Sequence, residues 1–146
     1  MLTACGMKGY HMTDEVLILM QGTIVRAACE RMESAHLKAL SDSVQQAACL
    51  PGRFVWDRKA AMHAEIFNLL GDTAGDPVLA RVAGTAVGWM HDLALTVGPV
   101  ADSIILNSRR RLLDCLSAGD ADGAAREMER HLSGLCFMGR VAQRCA

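Results

Sequence analysis

Gly75-Asp76-Pro77-Val78-Leu79-Ala80-Arg81, read with Met62-His63-Ala64-Glu65-Ile66 before it, decides the fold. A glycine closes one helix and an aspartate caps the next. Proline then takes the first helical position, where its missing N–H costs nothing. The same grammar recurs later in the chain. Leu112-Leu113-Asp114-Cys115-Leu116-Ser117-Ala118-Gly119-Asp120 ends one helix and caps another, which carries Met128-Glu129-Arg130-His131-Leu132. Two of these helical pieces bring a histidine to an inward position.

Working outward, Thr13 offers an N-cap, with Asp14 and Glu15 in the first turn where the helix dipole favours acids. Val16, Leu17, Leu19, Met20, Ile24, Ala27 and Ala28 give one apolar face to about residue 32, weakened in its middle by Gly22. A second helix is expected from Ser34 through Leu37, Leu40, Val44 and Ala48, stopping before Pro51-Gly52. The third is expected from about Phe54 to Leu70, closed by Gly71 and Gly75. The fourth starts at Asp76-Pro77 and ends near Gly98-Pro99; the fifth spans about Val100 to Ser117; the sixth runs from Asp120 past Val141. No period-2 run is long enough for a strand. The pattern predicts an all-α protein, an antiparallel bundle of about six helices. Residues 12–146 read as a single domain and residues 1–11, which lack a clear period, as a tail.

Composition agrees with this. The 146 residues suit one domain with one core. They are 51% apolar but only 4% aromatic, which favours helix packing over a β-sandwich. A net charge of −1 leaves no global field to hold nucleic acid or an anionic membrane, so DNA binding by this chain alone is not expected. Six cysteines without a CxxC pair read as reduced thiols of a cytoplasmic protein. Leu2-Thr3-Ala4-Cys5 has the form of a lipoprotein cleavage box, yet only four residues precede the cysteine, too few for a signal peptide. Charges or glycines break every apolar run before it reaches the length of a membrane span.

The capped helix starts and the histidines, in this order and spacing, resemble the FCD domain, the effector-binding C-terminal domain of GntR-type, FadR-like bacterial transcription regulators. The resemblance covers roughly residues 13–140. It implies a ligand cavity between helices, often holding a metal, and a homodimer. A winged helix-turn-helix normally precedes this domain in the family. About a dozen residues precede the first helix here, so the expectation is an effector domain without that head.

In the metal-binding branch of the family, an aspartate lies four residues before the third helix's histidine, and the fifth and sixth helices each supply another histidine. Carried across, these positions are Lys59, His63, Arg109 and His131. Two ligand positions are kept and two have become cations, which repel Zn²⁺ or Ni²⁺. Asp57 sits on a different face of its helix from His63 and does not replace the lost carboxylate. If a metal site survives, His63 and His131 are its ligands; no cofactor is the main expectation. The sharper reading is an anion site, with Lys59 and Arg109 binding a carboxylate directly and His63 and His131 as donors. The plainer reading sends Lys59 and Arg109 to solvent and leaves both histidines hydrogen-bonded in the interior.

Other residues carry less. Arg109-Arg110-Arg111 spread around a helix rather than forming a basic stripe. His91 and Asp92, beside Trp89, are candidates for lining a cavity from the fourth helix. Arg26, Glu30 and Arg31 read as surface ion pairs of small energetic value. The nine methionines suit an adaptable lining but are first of all core fillers. The main functional expectation is a sensing domain that binds a small organic acid or similar anionic metabolite and alters dimer geometry. The alternatives are a degenerate domain that only dimerises and a metal-dependent enzyme using His63 and His131. Against an enzyme, the chain has no H-E-x-x-H pair, no Glu-x-x-His pair and no glycine-rich phosphate loop.

Overall fold

In the computed structural model of the protein, residues 13–51 and 55–145 are described. The expected tail 1–11, with Cys5, and the expected helix start at Phe54 lie outside the described residues. Six helices account for most of what is described, and no strand occurs among those residues: α1 Asp14–Glu30, α2 Ser34–Cys49, α3 Trp56–Ala74, α4 Pro77–Val97, α5 Ala101–Ser117 and α6 Ala121–Cys145.

The caps follow the expected chemistry. Thr13 Oγ1 accepts from the Val16 amide, and Asp76 Oδ1 accepts from the amides of Val78 and Leu79. Asp120 accepts from the Gly123 amide at the start of α6. Each acid or hydroxyl satisfies amides that have no partner inside their own helix. One boundary differs from expectation: α3 does not stop at Leu70 but runs through Gly71 to Ala74. Gly71 is buried where α3 crosses α4, and a Cβ there would lie 2.5 Å from Ala83 Cβ. Its glycine answers a close helix approach, which outweighs its poor helix propensity. The actual stop is Gly75, whose φ of 75° is left-handed and whose amide bonds back to the Asp72 carbonyl.

α3 is central, packing on α1, α2 and α4, while α6 packs on α1, α4 and α5. Arg26 pairs with Asp122, and Asp14 lies near Arg140 at the opposite end, so α1 and α6 run antiparallel. Their interior is built from Ile24, Val25, Phe67, Leu70, Met90, Ile105, Leu112, Met128, Leu132 and Leu135, with alanines at the closest crossings. Burial is uneven. α3 buries eleven residues, whereas α2 buries Leu40 and Ala47 alone. A fully buried leucine contributes about 1.5–3 kcal/mol, so α2 is the least firmly held of the six.

Candidate ligand site in the bundle core

Lys59 and His63 lie one turn apart on the inward face of α3, and both are buried, Lys59 being 3% exposed. Asp102, in the first turn of α5, meets both. Its Oδ2 accepts from Lys59 Nζ at 2.7 Å and its Oδ1 from His63 Nε2 at 2.8 Å. Lys59 Nζ also donates to the Leu50 carbonyl at 2.8 Å, which ties the end of α2 to α3 and α5. A carboxylate can only accept, so His63 carries its proton on Nε2 and leaves Nδ1 as an acceptor. Burial lowers the His63 pKa most, and Arg109 and Lys59 lower it further against the pull of Asp102. His63 is therefore neutral at pH 7.

Two turns along α5 from Asp102, Arg109 points into the same interior and is only 1% exposed. Its guanidinium lies over the Phe67 ring, 5.6 Å from the centroid, and Nη2 reaches the His63 carbonyl at 3.4 Å. Nε and Nη1 have no hydrogen-bond partner among the described residues. Burial lowers the Arg109 pKa to about 10, with Glu127 pulling the other way, so the group stays cationic at pH 7. His131, on α6 and 6% exposed, also lacks a partner at Nε2. Burial, then Arg109, Arg111, His63 and Arg130, bring its pKa down to about 2.

Glu127 is the acid whose charge acts on this cation, but its own bonds lie elsewhere. It accepts from Arg111 Nε at 2.8 Å and from Arg130, both of which face solvent. Burial raises the Glu127 pKa, but bonds from Arg130, Arg111 and Ser108 outweigh that and hold it below its ordinary value. Among the described residues, the site therefore contains one matched pair, Lys59 with Asp102, and one buried cation without an anion at bonding distance.

The structure thus brings Lys59, His63, Arg109 and His131 to one interior. It overturns the plainer expectation that Lys59 and Arg109 point to solvent, since helix packing turns both inward. Lys59 is already engaged by Asp102, whereas Arg109 is not engaged by any acid. Asp57 and His91, weighed separately in the sequence, pair with each other at 2.8 Å on the α3–α4 side. Trp89 lines a separate groove with Leu93, Cys136 and Gly139, and Asp92 is exposed. The three consecutive arginines diverge: Arg109 goes inward, Arg110 to Asn107 and Arg111 to Glu127. Arg26 forms a surface ion pair, with Asp122 on α6.

Sequence reasoning missed Asp102. An acid in a first helical turn reads as ordinary dipole compensation. Its spacing of seven from Arg109, two turns on the same face, was the available signal.

A cavity of about 10 Å³ adjoins Arg109 and His63, closed by Ser43, Val44 and Ala47 of α2 and by Met62 and Ile66 of α3. That is room for about one water. The donor set does not fit a metal ion. Where a second carboxylate or imidazole would be needed, the interior presents an ammonium and a guanidinium, and a dication would add charge to both. Among the described residues, no group of three or more His, Cys, Asp or Glu is placed to hold an ion.

The FCD domain family matches residues 15–134, from the first turn of α1 well into α6. The chain belongs to the FCD domain family. FCD domains are regulatory rather than enzymatic, found as the effector-binding part of GntR-type regulators. The all-α bundle observed here agrees with that membership. No curated protein and no solved structure matches the chain. Among the described residues, no helix of this FCD domain is long and apolar enough to cross a membrane.

Proposed function

We propose that this FCD domain senses a small organic acid, which binds through its carboxylate to Arg109 in the bundle core. The observation that carries this reading is the buried guanidinium with Nε and Nη1 unbonded. A buried donor without a partner costs about 1–3 kcal/mol, and more when charged. A carboxylate on Arg109 would recover that cost through charge-assisted bonds. Neutral His131, whose Nε2 has no partner among the described residues, would hydrogen-bond a second group of the ligand, and His63 would offer Nδ1 as an acceptor. Admission of a ligand larger than one water requires α2 to move, and α2 is the helix with the fewest buried residues. Within a homodimer, a shift of α2 on binding would change how two subunits pack, through differential affinity for two arrangements. In this reading the domain is cytoplasmic, uses no metal and does not bind DNA by itself.

The test is calorimetry with formate, acetate and propionate on the wild type and on Arg109→Gln, in a carboxylate-free Tris buffer at low salt. Binding to the wild type that Arg109→Gln abolishes supports the proposal; identical behaviour of the two proteins rejects it. A second reading, a domain that only dimerises, is favoured by the small closed cavity. It expects no binding to either protein and a dimer by analytical ultracentrifugation regardless of added acid.

A further inference from the structure

The charges in the interior do more than admit an anion; they count it. Lys59 and Asp102 form an ion pair at 2.7 Å, and Asp102 also accepts a hydrogen bond from His63 Nε2. His63 and His131 are neutral, both held there first by burial. Glu127, the remaining acid facing Arg109, has its two oxygens engaged by Arg111 and Arg130, whose side chains are more than half exposed and solvated. Among the described residues, what is left unmatched inside the bundle is a single positive charge, on Arg109. We infer that the domain selects ligands carrying one negative charge, and that the Lys59–Asp102 pair sets this limit by neutralising the second cation of the site. The inference rests on the reading of Arg109 as the anion-binding group.

The physical reason is the cost of an unmatched buried charge. One carboxylate on Arg109 brings the interior to neutrality. A second carboxylate on the same ligand must either displace Asp102 from Lys59 or stay uncompensated away from water, and both are costly. Repulsion from Asp102 adds to this, because two like charges several ångströms apart in a poorly screened interior interact strongly. Without Asp102, the site would present two cations, Lys59 and Arg109, and would suit a dicarboxylate instead. Asp102 is thus a specificity-determining residue that need not touch the ligand.

The experiment compares acetate with malonate by calorimetry at pH 7.5 on four proteins: wild type, Arg109→Gln, Asp102→Asn, and the double variant Lys59→Met/Asp102→Asn. Wild type is expected to prefer acetate by at least about tenfold, the scale of one uncompensated charge in the interior. Asp102→Asn raises the site charge by one and should reverse the preference towards malonate. The double variant restores a single unmatched charge, keeps no ion pair to break, and should return to acetate. It also serves as the readout should Asp102→Asn fold poorly. If wild type binds malonate as tightly as acetate, and Arg109→Gln abolishes both, the charge limit is wrong while Arg109 remains the anion site. The same holds if the double variant prefers malonate. If neither acid binds in an Arg109-dependent way, the reading of the site itself fails.

Discussion

Replacing Arg109 by methionine should make the protein more stable. The change removes the guanidinium while keeping an unbranched side chain of similar reach, so the packing of the stem against Phe67 is largely retained. In the wild type, Nε and Nη1 are buried without partners. At about 1–3 kcal/mol for each unsatisfied donor, the fold carries about 2–6 kcal/mol that methionine would not. Against this stand the long bond to the His63 carbonyl and the contact over Phe67. Together these are worth about 1–3 kcal/mol, given the 3.4 Å length of the bond. The balance is a gain of about 2 kcal/mol, or roughly 4–8 °C in Tm for a domain of this size. Urea melts at pH 7.5 in low-salt buffer without carboxylate measure it directly. A structural arginine, whose bonds hold helices together, gives the opposite sign: a loss of more than about 1 kcal/mol in Arg109→Met refutes the reasoning. The two signs separate a group kept for a ligand from a group kept for the fold.

Three further outcomes are expected. His131 has a folded pKa of about 2 against about 6.5 in the unfolded chain, so below pH 6.5 the unfolded chain takes up a proton the folded one refuses. Its contribution is complete above that pH and falls by about 1.4 kcal/mol per unit on acidification; the stability of wild type relative to His131→Gln should therefore drop by about 2–3 kcal/mol from pH 6.5 to 4.5, and a flat difference in urea melts contradicts this. Gly71→Ala places a Cβ 2.5 Å from Ala83 Cβ and should cost about 1–3 kcal/mol, with Ala83→Gly in the same chain recovering part of the loss; thermal melts of the two variants check it. Amides of α2 should exchange with solvent faster than those of α3, because α2 buries two residues and α3 eleven, and equal protection by hydrogen-exchange mass spectrometry would remove α2 as the moving element.

The fold was almost wholly legible because its punctuation is local. Thr13, Asp76 and Asp120 cap helices through side-chain bonds to amides two or three residues on, and such bonds need no tertiary partner. Gly71 misled for the complementary reason. It resembles Gly75 as a helix breaker, but the cause of its glycine is Ala83 on another helix, which no reading of its neighbours reveals. The site divides in the same way. Arg109 and His131 could be placed from their correspondence to family positions and from their spacing to Gly119 and along α6. That both are buried, and that Lys59 is taken by Asp102, depends on how the side chains of α3 and α5 meet across the interior. Seven residues separate Asp102 from Arg109, so both face α3, yet one meets Lys59 and His63 while the other meets Phe67.

That division bears on how, in the proposed reading, a side-chain cation would do the work of a metal. A metal ion organises its own ligands, whereas a lysine and an arginine repel each other and must be separated by the protein. Asp102 accomplishes this by pairing with Lys59, which leaves Arg109 over Phe67 with one long bond to the His63 carbonyl. The separation has an energetic consequence. Lys59 is already satisfied by Asp102 and the Leu50 carbonyl, so in the proposed binding only Arg109 would change its bonding. The free energy available to move α2 is then bounded by what one guanidinium recovers, about 2–6 kcal/mol. Part of that range must go to loosening α2, which lines the cavity with Ala47 and buries Leu40 elsewhere along its length, at about 1.5–3 kcal/mol if the leucine is exposed. A bundle whose covering helix buried more would close the site permanently. The shallow anchoring of α2 and the unpaired state of Arg109 are therefore matched in magnitude, and strengthening the first should weaken anion binding as surely as removing the second.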